Sequence, residues 1–154
     1  MSFDRAKKHL EKFGLDKNVM EFSTSSATVE EAARLLHCTE GEIAKTLSFL
    51  VDEKAILVVV AGDRKIDNHK FKEEFHKKAK MIPRDILEDL VGHQAGGVCP
   101  FGICDGVMVY LDQSLQKYQT VYPACGSATS AVKLTIPELE EASSYQRWVD
   151  VCKD

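Results

Sequence analysis

The residues that could do chemistry gather in two places. The first is the stretch AGGVCPFGICDG at 95–106, which holds four of the nine glycines together with Cys99, Pro100 and Cys104. Glycine lets backbone bend freely and lets it approach a ligand closely. Pro100 disfavours helix at Cys99 and helps to hold the bend. The segment Gly97-Val98-Cys99-Pro100-Phe101-Gly102 therefore offers N–H groups to an anion or an acyl oxygen. The same glycines would also serve a tight connection before a buried strand. No Gly-Lys-Ser/Thr follows, and the spacing is not that of a dinucleotide fingerprint. The second place is Lys45 in EIAKTLSF. In a strand Lys45 shares its face with Leu47, Phe49 and Val51, while Thr46 and Ser48 take the other. Lys45 then either snorkels from the strand end or stands as a cation at the rim of a pocket.

Two further sets of residues admit more than one reading. Cys99 or Cys104, with His93 nearby in sequence, could form a cysteine-nucleophile hydrolase if the thiol were activated by an adjacent base. The same residues are a poor zinc pattern, so no metal is expected. From Arg64 to Arg84 eight Lys/Arg face three Asp/Glu, whereas the rest of the chain carries twelve against twenty-one. This basic stretch on an acidic body is either a solvated helix face or a patch for phosphates.

The elements that must position these groups follow from periodicity and caps. An amphipathic helix is expected over Phe3 to Phe13, with Gly14 as its stop. VMEF reads as a short strand. Thr28 with Glu31, and Thr39 with Glu42, have the spacing of capping boxes. AKTLSFLV alternates, and AILVVVAG is apolar at both parities, as a central strand covered on both faces would be. Asn68 to Lys78 reads as a basic helix anchored by Phe71 and Phe75. Pro83 suits the first helical position before RDILEDLVG. VMVYL reads as a second two-sided strand, YQTVY as another, AVKLTI as one alternating strand, and Pro137 as the opening of a short helix. Strands mixed with helices imply an α/β (α+β) fold with a mixed central sheet.

The 154 residues suit one domain, expected over 1–154, and 44% hydrophobic with 29% charged is an ordinary globular composition. The charged start MSFDRAKKHLEKFG lacks a targeting h-region. AILVVVAG is far too short to span a bilayer. Five cysteines without a CxxC do not make a disulfide framework. The expectation is a reducing cytoplasm, with no membrane partner and no cofactor.

EIAKTLSF, VVVAGDRKID, GGVCPFG, VYLDQSL and ACGSATSAVKLT, in that order, resemble the YbaK / prolyl-tRNA-synthetase editing-domain superfamily. The resemblance runs from about Ser23 to Glu140. It implies a barrel-like sheet, a free-standing deacylase of mischarged aminoacyl-tRNA, and a substrate-assisted reaction in which a ribose hydroxyl and a bound water act. Prolyl-tRNA synthetase is a possible partner on the same ground. The resemblance places Lys45 beside the CCA end of tRNA. It matches Gly96, Gly97, Pro100, Phe101 and Gly102, around Val98, to the loop that cradles the terminal adenosine and the ester. Gly126 and Ser127 would line the floor. ACGSATSAV is closer to branches that clear small amino acids such as alanine than to the cysteinyl-tRNA branch. Ser25 and Ser26 could supply polar walls or simply lead to the Thr28 cap. Asp112 could orient groups near the site or begin a turn. Lys77 and Lys78 are the expected contacts to tRNA phosphates. A non-catalytic module holding an aminoacyl-RNA end is the remaining alternative.

Overall fold

A computed structural model describes residues 2–154. Its centre is built from the two strands whose sequences are richest in branched apolar residues. β2 (Ile43–Val51) and β3 (Lys54–Ala61) pair antiparallel along their length, Ala44 opposite Ala61 and Val51 opposite Lys54. β4 (Met108–Asp112) joins β3 in parallel, and β8 (Trp148–Val149) joins β4. On the other side β5 (Thr120–Pro123) runs parallel to β2, and β7 (Leu134–Thr135) is antiparallel to β5. The six strands form a curled mixed sheet, a half-barrel, in the order β7-β5-β2-β3-β4-β8. A separate ribbon pairs β1 (Val19–Glu21) with β6 (Ser130–Val132).

Five helices surround the sheet: α1 (Ser2–Glu11), α2 (Val29–Leu36), α3 (Asn68–Phe75), α4 (Arg84–Val91) and α5 (Ile136–Ser143). Thr28 and Glu31 form the capping box that opens α2, and Thr39 with Glu42 repeats it before β2. Both faces of β3 are covered. Leu57, Val59 and Ala61 enter the main core with Leu10, Phe101 and Leu139. Val58 and Val60 enter a second cluster with Phe49, Phe71 and Val151.

Four expected elements differ. The first helix ends at Glu11, leaving Phe13 and Gly14 in the turn. α3 ends at Phe75, because His76 adopts a left-handed φ of 63° and its N–H bonds back to Lys72 O. Lys77 and Lys78 therefore lie beyond the helix. Pro83 is the cap before α4, not its first helical residue. AVKLTI is two strands: β6 pairs with β1, a ladder that Lys133 N–H extends to Asn18 O, and β7 pairs with β5.

Candidate functional site

A cavity of about 390 Å³ opens where β2 has no neighbour. β3 covers one edge of β2 completely. On the opposite edge β5 pairs only with Ile43 and Ala44 and ends at Pro123. Further along that edge Leu50 N–H donates to Lys80 O at 2.9 Å and Ile82 N–H donates to Ser48 O at 3.1 Å. Lys45, Thr46 and Leu47 lie in the gap between. Backbone groups of alternate residues face the same edge. Since Ser48 C=O and Leu50 N–H face this edge, the N–H and C=O of Thr46 face it too.

Small side chains make the walls. Ser26, Ala27 and Ala32 come from the start of α2 and the loop before it, Ala95, Gly96 and Val98 from the glycine loop, Ala124 from the end of β5, and Ser130 and Ala131 from β6. Ala44, Thr46 and Ser48 come from one face of β2, with Leu87 and Met81 closing the opposite side. Met81 is 56% exposed and sits at the mouth, inside the basic stretch. Among the described residues the lining contains no Asp or Glu, and Lys45 is its one cation.

Lys45 lies on the face of Phe49, as its parity requires, and is half-buried at the cavity. Among the described residues it makes no hydrogen bond or ion pair. Burial holds its ammonium below the usual lysine range, with Cys152 and Asp63 pulling upward and Lys65 downward. Thr46 Oγ1 is buried without a hydrogen-bond partner. Leaving such a hydroxyl unpaired costs about 1–3 kcal/mol. Ser48 is buried beside it on the same face. Parity placed these two hydroxyls together on one face; nothing in the sequence said that the face would border a cavity. Tyr122, Met81 and Leu87 were not anticipated either.

The other expected site residues divide. Gly96 and Val98 line the cavity, as does Ser26, whose hydroxyl is 3.3 Å from Ala128 O. Ser127 and Gly126 stand behind the wall: Ser127 Oγ is 2.7 Å from Ser130 Oγ. Ser25 does not line the cavity. It donates to Glu31 at 3.0 Å and braces the α2 cap. Pro100 and Phe101 are buried, and Phe101 belongs to the main core, not to the cavity wall.

Gly97 and Gly102 are required by protein packing. A Cβ on Gly97 would lie 2.7 Å from Ser127 N, and one on Gly102 would lie 2.7 Å from the backbone carbonyl of Arg5. Here bare backbone lets chain approach chain. Asp112 is buried away from this cavity. Its carboxylate accepts the Ser114 N–H at 2.9 Å and the Val151 N–H at 2.8 Å, so it begins a turn and ties down the C-terminal segment. Lys77 pairs with Asp52 at 3.3 Å, and Lys78 is exposed.

Cys99 and His93 do meet, Sγ to Nε2 at 3.5 Å, but both are fully buried and neither lines the cavity. Burial pushes the Cys99 thiol far up, so it stays protonated. A cysteine nucleophile needs a thiolate that substrate can reach, and this thiol is sealed in and protonated. Among the described residues no three His, Cys, Asp or Glu side chains gather as a metal would need. No helix among them is long and apolar enough to cross a membrane.

Residues 24–142 match the family model of the aminoacyl-tRNA editing domain, and the chain belongs to that family. It is 49% identical over its full length to YwhH of Bacillus subtilis (strain 168), itself uncharacterised, covering 99% of that protein. It is 30% identical over 91 residues to the proline–tRNA ligase of the same organism, a match that takes in 58% of this chain and 16% of the ligase. A solved structure proposed to be a trans-editing enzyme for prolyl tRNA synthetase superposes with a TM-score of 0.89 at 28% identity, covering 99% of this chain and 98% of that one.

Proposed function

We propose that this chain hydrolyses the ester of mischarged tRNA(Pro), releasing a small non-cognate amino acid such as alanine. The observation that carries this reading is the cavity itself. Alanines and hydroxyl residues wall a space beside an unpaired lysine and an unpaired stretch of strand edge. In this reading a small acyl group sits among these small side chains. The matching segment within proline–tRNA ligases supports tRNA(Pro) as the carrier.

In this reading water adds to the acyl carbon and the bond to the ribose oxygen breaks. Lys45 holds a phosphate or ribose oxygen of the CCA end and so fixes the ester over the cavity. The backbone around Gly96 and the free edge at Thr46 position the carbonyl, and preorganised N–H groups stabilise charge that develops on its oxygen. A ribose hydroxyl and a bound water complete the reaction, which needs no protein nucleophile. Lys78, Lys80 and Arg84, exposed beside Met81 and free of ion pairs among the described residues, supply charge toward the acceptor strand.

A hydrolysis panel tests this: tRNA(Pro) charged in turn with Pro, Ala, Ser, Thr, Cys and 2-aminobutyrate. Small esters should be cleaved in multiple turnovers and faster than Pro-tRNA(Pro). Equal cleavage of all six would refute editing, and protection of the ester without turnover would make the chain a binding module.

A further inference from the structure

The cavity has a charge problem for its ligand. Any aminoacyl ester brings an α-amino group, ordinarily an ammonium below about pH 7.7–8.0. A site built to take an ammonium offers a carboxylate, and this lining has none. The titratable side chains in the lining are Lys45 and Tyr122, and burial raises the Tyr122 phenol, so it stays neutral. The acids around the walls are either occupied or on exposed faces, and Asp63, which acts on Lys45 from beyond the end of β3, is exposed and 3.9 Å from Arg64. Glu31 is held by Ser25 Oγ and the Thr28 N–H, and Glu42 by Thr39. Glu30, Asp85 and Glu88 are exposed. Lys80 and Arg84, neighbours of Met81 in sequence, are exposed and add positive charge. A second cation beside Lys45 would meet like charge in a half-buried space.

The same cavity holds an unused acceptor. Thr46 lines it, and its hydroxyl is buried without a partner. A threonine hydroxyl has two lone pairs and one donor, and it turns about a single bond. The oxygen is closed off in this structure, so an N–H arriving from the cavity completes it once the Thr46 side chain turns about its Cα–Cβ bond. Ser48, two residues on, offers a second hydroxyl on the same face of β2.

We propose that Thr46 is a specificity-determining residue that receives the α-amino group of the ester as a neutral amine, the proton having been left in bulk water before binding. This rests on the editing reading above. The selection is for the uncharged form, with Lys45 repelling the ammonium and the Thr46 hydroxyl accepting from the amine.

The test compares two esters on the same tRNA(Pro): alanyl, whose amine titrates, and lactyl, which carries a hydroxyl there and never ionises. Both feel any titration of the protein or its RNA, so their ratio isolates the amine. Between pH 6.5 and 8.5 the alanyl-to-lactyl ratio of kcat/KM should rise about tenfold as the neutral fraction grows. Thr46→Val should lower kcat/KM for both esters at least tenfold while melting at or above the wild-type temperature, because a methyl group replaces an unsatisfied hydroxyl. Thr46→Ser should restore most of the rate. A ratio that is flat or falls with pH, or a Thr46→Val protein as fast as wild type, overturns the proposal while leaving editing intact. If wild type cleaves neither ester at any pH, the editing reading fails first and takes this one with it.

Discussion

Cys99 with His93 and Thr46 with Ser48 invite opposite first impressions. The thiol and imidazole look like a catalytic pair and lie 3.5 Å apart. Yet both are sealed in the core, His93 Nε2 is anchored to Phe101 O at 2.7 Å, and the thiol is held protonated. The two hydroxyls look like ordinary strand residues, yet they line the cavity beside a free lysine. Proximity of reactive groups is therefore a poor guide here. Access to a space where substrate fits separates the two regions.

The sharpest way to test that contrast is at Lys45. Lys45→Ala is expected to lower kcat/KM by about 10²-fold or more, roughly 2.7 kcal/mol of transition-state stabilisation, with an unchanged melting curve. Lys45→Arg should recover only part, since a planar fork does not replace a compact charge. Near-normal turnover by the alanine variant would remove Lys45 from the site.

Gly97→Ala should act through packing. Its Cβ would meet the backbone of Ser127 and Gly126. A loss of about 1–3 kcal/mol in stability is expected, read from urea unfolding, with the folded fraction keeping its preference among esters. Unchanged stability together with lost activity would return this glycine to a ligand-contacting role.

His93 links the buried pair to pH. Burial lowers its pKa, its bond to Phe101 O opposes that shift, and its Nδ1 has no partner. The folded protein thus resists protonation that the unfolded chain accepts. The contribution of His93 to stability is complete above about pH 6.5. It is lost as pH falls from there through the lowered folded value. Urea midpoints measured from pH 7 to pH 5 should fall, and His93→Gln should flatten that slope. An identical slope in the variant would assign it to other groups.

The smallest effect is expected at Cys99. Cys99→Ala should keep activity within about threefold, because the thiol reaches no substrate. An acyl-thioester trapped on wild type, with a dead but folded variant, would reverse the comparison.

Much of this architecture was readable where local rules act alone. Thr28 and Glu31 are spaced for a capping box and form one. AILVVVAG is apolar at both parities and lies between two core clusters. Lys45 has the parity that puts it with Phe49. What could not be read depends on partners distant in sequence. The alternating run divides at Lys133 because β6 finds β1 and β7 finds β5. β8 exists because β4 is there to pair with it. The glycines at 97 and 102 were legible as close approaches, but the sequence does not say whether a ligand or another segment approaches. The backbone edge at Thr46 is free because β5 stops at Pro123, far along the chain.

The cavity draws its walls from segments between Ser26 and Ala131. None of these walls is complete until β6 has found β1 and β5 has found β2. Contacts so distant in sequence close late, because loop closure must precede their reward. Competence is thus tied to the end of folding: hydrolysis should reappear after far-ultraviolet ellipticity on dilution from urea, and simultaneous recovery would contradict this. A half-folded chain emerging from synthesis would carry helices and strands but not the cavity.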